Sequence, residues 1–477
     1  MFKKLDDVVK FIKKNQIRMV DFKFTDLSGK LYHITIPAKN FSIKTIKEGI
    51  GYDGSSIGFK AVECGDMCAV PDISTGSIDP FWDVPTLSFM CNAVEADTKA
   101  EFHMDPRTVA QKAEKYLKAS GIADKSLMGP EFEFYIFDKV SLENEPCSTS
   151  FRIICEESIS GREKGALPTS GHKMLHKQGY HQAPPLDGLY NIRAEIVEEI
   201  EKSGISVHYH HHEVGAPGQS EIEVDLKPLS EAADNTMAIK YIVRNMCKKL
   251  GKTATFMPKP LYLEAGSGMH VHQFLTKNGK NVFYDKKAKY ANLSKTALYY
   301  IGGILKHGRA LTAFTNPSTN SFKRLIAGYE APVNLFFSLG NRSAAIRVPK
   351  YAIKEADKRI EYRPPDFTCN IYYCLAALLM AGIDGIKNKI DPTKNNFGPY
   401  DVDIFNAPDS LKNKIVPLPT SLEESLEALK KDHEFLLKGG VFSEDLIKCW
   451  IERKMVTEVE AIKNRPHPYE FQLYYGS

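Results

Sequence analysis

The chain has 477 residues, 43% hydrophobic and 26% charged, with 63 basic and 59 acidic side chains that leave a net charge of +4. That length exceeds what one core usually spans, so two or more domains are expected, and the balance of apolar and charged residues excludes a disordered or fibrous chain. The small net charge excludes a general electrostatic affinity for nucleic acid or an anionic membrane, and neither is expected as a partner.

The nine cysteines are scattered without a Cys-x-x-Cys pair, which argues against a disulfide framework or a cysteine zinc site; Cys64 and Cys68 read as buried thiols. Near the N-terminus Leu5, Val8, Val9 and Ile12 recur at helical spacing among charges. They form no continuous apolar run, and no stretch of about 18 apolar residues occurs elsewhere, so neither secretion nor a membrane span is expected and the cytoplasm is the expected location.

Residues 5–16 read as an amphipathic helix, 17–24 as a strand, Ser28-Gly29 as a turn and 31–37 as a second strand. Gly51-Tyr52-Asp53-Gly54-Ser55-Ser56-Ile57-Gly58 is too rich in glycine and serine for a regular element, and Asp53 there either caps the turn or serves chemistry. Asp66, Pro71, Asp72 and Asp79-Pro80 extend a loop-rich region with a short strand at 85–91. A domain boundary falls near 100–106, where Asp105 as cap and Pro106 at the first helical position open a helix that Gly121 stops.

Next comes Gly129-Pro130-Glu131-Phe132-Glu133-Phe134-Tyr135-Ile136-Phe137-Asp138, an aromatic and β-branched run that reads as a strand. Side chains alternate faces along a strand, so Glu131 and Glu133 share one face while Phe132, Phe134 and Ile136 take the other. At close range and an effective dielectric of ~20, two such carboxylates repel by about 4 kcal/mol. A divalent cation, an arginine or a shared proton offsets that repulsion; a solvated strand face is the alternative.

Residues 139–179 mix serine, proline, glycine and charges and read as an irregular excursion or lid, and 188–203 as a helix stopped by Gly204. The segments 205–213 and 220–224 read as a β-hairpin turned by Gly215-Ala216-Pro217-Gly218-Gln219, which brings Glu213 and Glu221 close enough to share a ligand. Adjacent residues of a strand face opposite ways, so His208, His210, His211 and His212 cannot all converge and a histidine-only metal site is not expected. After a helix over 230–250, Gly251-Lys252-Thr253 mimics a phosphate-binding loop, but Met246 stands where the leading glycine is required and that reading fails.

Gly266-Ser267-Gly268-Met269-His270-Val271-His272 sets two histidines at strand spacing, a better source of one metal ligand. A core-facing helix is expected over 294–314, an apolar helix over 371–388, and two charged amphipathic helices over 421–463 before a tyrosine-rich tail. Between them come Arg342, Arg347, Arg359 and Arg363, with Glu361 among the last two. Guanidinium forks suit phosphate and carboxylate oxygens, so an anionic ligand beside a metal is one reading and surface salt bridges the other. Oxygen-rich ligation with one imidazole suits magnesium or manganese better than structural zinc, and such metals beside arginines point to phosphoryl transfer. The residues by themselves reach a metal-dependent, nucleotide-using enzyme.

Over nearly its whole length the sequence resembles the bacterial type I glutamine synthetases. The resemblance is carried, in family order, by Tyr52-Asp53-Gly54-Ser55-Ser56-Ile57-Gly58, by Gly129-Pro130-Glu131-x-Glu133 and by His210-His211-His212-Glu213-Val214. It continues through Lys252-Thr253-Ala254-Thr255-Phe256-Met257-Pro258-Lys259-Pro260, Gly266-Ser267-Gly268-Met269-His270, Asn316-Pro317, Glu330-Ala331-Pro332, Asn341-Arg342-Ser343 and Pro466-His467-Pro468-Tyr469-Glu470-Phe471.

The resemblance implies an α+β fold, with an N-terminal β-grasp-like domain over 15–101 and a larger catalytic domain over 107–477 built on a curved antiparallel sheet flanked by helices. It implies a dodecamer of two hexameric rings with active sites between subunits, using glutamate, ammonium and ATP with two or more Mg2+ or Mn2+ ions per site. By motif match Glu133, Glu213 and Glu221 hold one metal, and Glu131, His270 and Glu361 the other. Asp53, from the adjacent subunit, takes a proton from ammonium; Glu330 lies on a loop that closes over the intermediate, and Tyr180 shares their cation pocket. Arg324 and Arg363 bind glutamate, with Ser56, Ala265 and Gly266 beside it, and Arg342 lies near both glutamate and the phosphoryl group. Arg347 and Arg359 fall near the ATP phosphates, and His208, Leu226, His272 and Phe274 at nucleotide positions.

The implied reaction is ATP-dependent ligation of ammonia to the γ-carboxylate of glutamate through γ-glutamyl phosphate. A γ-glutamyl ligase for larger amines or polyamines, or a non-catalytic homologue, are the alternatives; the intact metal positions argue against the second. Ala265, Phe274, Leu226 and Ala356 depart from residues common in the family at glutamate and nucleotide positions, so substrate affinity does not carry over. Tyr400-Asp401 resembles the region of a regulatory adenylylation tyrosine, but Asn396-Phe397-Gly398-Pro399 before it differs, which leaves modification there open.

Overall fold

The computed structural model describes residues 2–159, 171–329, 331–402, 404 and 406–477. The N-terminal helix, Leu5–Lys14, buries Val8 and Ile12 against a sheet whose first strands, Met19–Thr25 and Leu31–Pro37, form an antiparallel hairpin. Thr86–Glu95 runs parallel beside Met19–Thr25, followed in the sheet by Asp66–Pro71 and Ile50–Asp53. That is the β-grasp arrangement. Its inner strand outgrows the short one expected at 85–91 because it pairs on both sides. All nine cysteines are free; Cys68 is buried as expected, but Cys64 is exposed, in a turn, Val62–Cys64, that buries none of its residues.

Asp105 caps the helix Pro106–Ala119 by accepting a hydrogen bond from the Thr108 N–H at 2.9 Å. One residue into that helix, Arg107 reaches Asp72 of the β-grasp sheet (2.7 Å) and Asp234 of the helix Leu229–Lys249 (2.9 Å), tying the domains together. Gly29 completes the junction. Its φ of 83° suits glycine, and a Cβ there would lie 2.8 Å from Asn370 Cα, whose side-chain amide donates to the carbonyls of Asp26 and Leu27.

The larger domain is organised by the strand Lys125–Phe137, buried from Met128 onward. Gln219–Val224 lies on one side of it and Val271–Lys277 on the other, both antiparallel, and the sheet continues through Ile360–Tyr362, Ala344–Val348 and Asn334–Leu339. The last two strands run parallel. Behind the sheet Phe132 and Phe134 pack on Phe367 and Phe256, and the helix Ile371–Lys387, buried along nearly its whole surface, packs on Lys295–Lys306 where Gly303 and Gly385 let the backbones approach.

Three expectations change. Within 139–179, Lys139–Glu145 and Ser148–Ile154 pair as an exposed hairpin, which polar composition concealed; the sequence stretch 160–170 lies outside the described residues. The helix expected over 294–314 breaks at His307 into Lys295–Lys306 and Gly308–Thr315. The His307 ring is held between Asp384 (3.1 Å) and Asp432 (2.9 Å) and stacks on Phe435, so side-chain contacts outside the helix turn the chain there. The segment 421–463 forms Leu422–Lys431, Glu434–Leu437 and Glu444–Lys454, the last continued by helical turns through Met455–Glu460 and Ala461–Lys463, with an interruption at Gly439, whose φ is 67°. Among the described residues no helix is long and apolar enough to cross a membrane.

Candidate active site

Strand register assembles the site. Glu133 stands opposite Glu221, and Glu131 opposite Glu223, while His211 and Tyr209 of the outer strand Val207–His212 lie opposite Glu221 and Glu223 in turn. On the other flank His272 pairs with Gly129 and with Glu361, and Glu361 with Arg347. Partners in a ladder share a face, so the acidic side chains, the imidazoles and Arg347 all emerge on the side away from Phe132.

Two groups of ligand atoms converge there, each within 4.8 Å: Glu131, His270 and Glu361 in one, and His211, Glu213 and Glu221 in the other. The first is the triad the family resemblance implied; the second replaces Glu133 with His211, although Glu133 stays directly across from Glu221. A third such group joins Glu131, Glu221 and Glu223.

Burial drives the Glu221 carboxyl well above its ordinary range, and Glu131, Glu213 and Glu133 add to the shift by repulsion. Glu131 goes the other way: burial works against its ionised form, but His270, 2.5 Å away, and His272, 2.7 Å away, hold it well below the usual range. Burial likewise opposes ionised Glu361, yet Arg363, with His272 and Arg347, brings its pKa down to about 2. A face that must protonate one carboxylate to tolerate the others fits a divalent cation, and its hard oxygen donors with imidazole fit Mg2+ or Mn2+.

Glu131, Glu133, Glu213, Glu221, Glu361, His211 and His270 line a cavity of about 690 Å3 together with Tyr180, Ala265, Gly266, Arg324, Arg342, Arg347 and Arg363. Arg347 Nε donates to Glu361 at 2.6 Å and Arg363 pairs with the other carboxylate oxygen. Arg324 is clamped by the carbonyls of Pro364 (2.6 Å) and Pro365 (3.2 Å). Its side chain crosses so close to the Gly266-Ser267-Gly268 turn that a Cβ on Gly268 would lie 2.4 Å from Arg324 Nη2. The same turn donates the Gly268 N–H to Glu133 at 2.7 Å and is held from below by Tyr135 O–H, which donates to the Ala265 carbonyl at 2.6 Å.

Other sequence-derived candidates lie elsewhere. His272 is buried between Glu131 and Arg359, whose Nε donates to it at 3.1 Å. His208 pairs with Asp225 at the outer strand, and Leu226 packs beside Gly129. Phe274 is half-buried further along the strand Val271–Lys277. Asp53 and Ser56 sit on the β-grasp domain, outside this cavity; Asp53 accepts hydrogen bonds from Ser55 Oγ (2.7 Å) and Ser56 Oγ (2.5 Å), which hold its pKa below the ordinary value. Glu330 lies outside the described residues, while its neighbour Tyr329 is held between the ammonium groups of Lys177 and Lys259, each 3.9 Å from its ring. Tyr400 donates its hydroxyl to the Asn396 carbonyl at 3.1 Å.

Sequence reasoning names no role for Glu223 or Tyr209, and treats His211 only within a histidine run that cannot all converge. The period-2 pattern Glu221-x-Glu223 was the available signal, since it repeats Glu131-x-Glu133 and only register was missing.

A sheet that gathers carboxylates and imidazoles on one face, under a rim of arginines, defines a metal-dependent enzyme for anionic substrates. Family models for the glutamine synthetase β-grasp domain and the glutamine synthetase catalytic domain match residues 16–96 and 103–474. Glutamine synthetase of Frankia alni is 45% identical over the whole of both chains, and that of Aquifex aeolicus is 48% identical over 98% of each. Among solved structures, Plasmodium falciparum glutamine synthetase superposes with a TM-score of 0.90 at 31% identity over 99% of both chains, and a GmaS/ADP complex with 0.81 at 25% identity over 100% of both. The chain belongs to the glutamine synthetase family, and it is a ligase.

Proposed function

We propose that the enzyme uses ATP to join ammonia to the γ-carboxylate of glutamate, with the sheet-face cavity as its active site. The observation that supports this most is one cavity in which a crowd of buried carboxylates, repelling strongly enough to drive Glu221 toward protonation, faces Arg324, Arg342, Arg347 and Arg363. The first group calls for cations and the second for anions, which is what a phosphorylated acid and a nucleotide bring together.

In the proposed sequence the γ-carboxylate oxygen of glutamate attacks the terminal phosphorus of ATP, the bond to the bridging oxygen breaks and ADP leaves. Phosphorylation turns a poor leaving group, oxide, into phosphate. Ammonia nitrogen then bonds to the acyl carbon and phosphate departs with the C–O electron pair. Arg324 and Arg363 orient glutamate, Arg342 faces the phosphoryl group, and Arg347 and Arg359 the remaining phosphates. Glu131, His270 and Glu361, and Glu133, Glu213 and Glu221 with His211, would hold Mg2+ or Mn2+, which spreads phosphate charge when bound.

Ammonium must lose a proton before it can attack, and we assign that proton to the partner subunit's Asp53, kept ionised by its serine hydrogen bonds. Tyr180 lines the cavity where the cation enters, and Glu330 is assigned to the closing loop that keeps water from the acyl phosphate. His208, Leu226 and Phe274 are assigned to the nucleotide, with Ser56 and the Ala265-Gly266 turn beside glutamate.

Two observations support a ring assembly with shared sites, a dodecamer in this reading. Asp53 does not reach the cavity of its own chain. The C-terminal helix Pro468–Tyr474 leaves Phe471, Leu473 and Tyr474 exposed, an apolar face that a neighbouring copy would cover. Domain limits of 15–101 and 107–477 and a cytoplasmic location complete the proposal.

The test is magnesium-dependent phosphate release from ATP and glutamate, with ammonium compared against methylamine and polyamines. Preference for ammonium is expected; preference for an amine replaces the reading with that of a γ-glutamyl-amine ligase.

A further inference from the structure

Lys240 and Arg244 lie one turn apart on the helix Leu229–Lys249, an arrangement in which like charges repel. Lys240 is turned inward and only 9% exposed, while Arg244 stands exposed at the cavity mouth. Among the described residues neither has a carboxylate partner: Lys240 Nζ donates to the Phe367 carbonyl at 3.0 Å, and the Arg244 guanidinium rests over the Phe256 ring, 5.6 Å from its centre. Burial, with Arg244 close by, brings the Lys240 pKa down to about 8. A buried cation without a counter-charge, with a second cation one turn away, weakens a fold, and an anion between them removes that cost.

The pair opens onto a cavity of about 420 Å3 between the β-grasp and catalytic domains, within the size range of about 300–1,000 Å3 that small ligands occupy. Lys23, Lys30 and His33 line it from the β-grasp side. Lys23 and His33 are already paired, with Asp79 at 2.6 Å and Asp21 at 2.8 Å, whereas among the described residues the Lys30 ammonium has only the Tyr32 ring, 5.1 Å away. No Asp or Glu is among the described residues that line the cavity. Its neutral polar side chains are Ser28, Tyr32, Tyr241, Asn245 and Thr368.

We propose that this interdomain cavity is a binding site for a small multivalent anion, a phosphate ester or a dicarboxylate, held between Arg244 and Lys240. The planar fork of Arg244 takes two anionic oxygens side by side, Lys240 supplies a point charge from the cavity floor, and Lys30 closes on it from the other domain. This site is separate from the acidic face. It lies behind the sheet, where Phe367 stacks on Phe132 at 5.1 Å, and Phe132 is the residue between Glu131 and Glu133. A ligand resting on Phe367 therefore touches the ring that backs the metal-binding strand.

Trp82 reports on this cavity directly. It lines the wall and is 50% exposed, while the other tryptophan of the chain, Trp450, is buried in the core. The full-length Glu133→Ala protein, whose active site is disabled, is titrated with inorganic pyrophosphate and separately with succinate while tryptophan emission is followed. A saturable change is expected, absent in Trp82→Phe, with affinity lowered about tenfold or more by Arg244→Gln and recovered in part by Arg244→Lys. Lys30→Gln, at an exposed position that folding does not need, shifts the titration in the same direction. Tighter binding of pyrophosphate assigns a phosphate ester, and of succinate a dicarboxylate. No saturable change with either probe, or identical titrations with and without the Arg244 and Lys30 substitutions, overturns the proposal.

Discussion

Glu133 and Glu221 face each other directly across an antiparallel ladder, both almost fully buried. With Glu131, Glu213 and Glu223 on the same face, the strands pair only if something neutralises their charge, and Glu221 is driven toward protonation when nothing else does.

Metal binding is therefore expected to stabilise the fold. At free Mg2+ or Mn2+ near 100 times the dissociation constant, the gain is about 2.7 kcal/mol, read as a rise in Tm by calorimetry against a chelator-treated control. Glu221→Gln should raise the Tm of the chelated protein, because its neutral amide spares the cost of protonating Glu221 on folding, and should flatten the metal-dependent rise. Glu133→Ala should lower turnover by more than the ~100-fold typical of residues that only support a metal ligand.

Shared active sites make a distinct prediction. Asp53→Ala and Glu133→Ala chains are each defective, the first in ammonium use and the second in phosphoryl transfer. Co-assembled at equal amounts, they should regain about a quarter of wild-type sites, those pairing an intact Glu133 with a neighbour's intact Asp53. Activity of the mixture no greater than the sum of its parts would place Asp53 outside the neighbouring site.

Tyr135 O–H holds the Ala265 carbonyl and with it the turn that Arg324 crosses. Tyr135→Phe leaves that carbonyl unpaired in a buried setting, a loss of roughly 1–3 kcal/mol. Since the turn is assigned to glutamate, KM for glutamate should rise while KM for ATP changes little. Steady-state kinetics on both substrates separates this from a general loss of folded enzyme.

Lys240 gives the fold a defined pH response. Its pKa is lowered from an ordinary 10.5 to about 8, so between those values the unfolded chain binds more protons than the folded one and stability rises with pH. The full span is worth about 3 kcal/mol. Lys240→Met removes the titration, so the variant should exceed wild type in urea stability at pH 7 in a buffer free of multivalent anions, and the difference should shrink by pH 10. A difference that stays constant across that range contradicts the assignment.

How much of this was legible depended on the range of the forces involved. The facing of Glu131 and Glu133, the Asp105-Pro106 helix start and the return strand carrying Glu221 follow from period and capping, which act over a few residues. His211 was set aside because a run of histidines cannot converge by itself; it joins Glu213 and Glu221 because the neighbouring strand supplies the other ligands. The break at His307 was hidden for a similar reason, since Asp384 and Asp432 come from helices far along the chain. The roles of individual arginines rested on resemblance to a known family, as spacing alone left salt bridges equally open.

From the sequence by itself came the alternation that puts carboxylates on one side of a strand and aromatics on the other, together with the family to which the ordered motifs belong. Only the tertiary structure decided which carboxylates meet, that Glu223 joins them and the His211 imidazole stands beside them, and that among the described residues Lys240 and Arg244 have no carboxylate partner. Periodicity is a property of neighbouring residues, whereas register and burial arise when distant segments pair and exclude water, and that exclusion is what turns shared charge into a site.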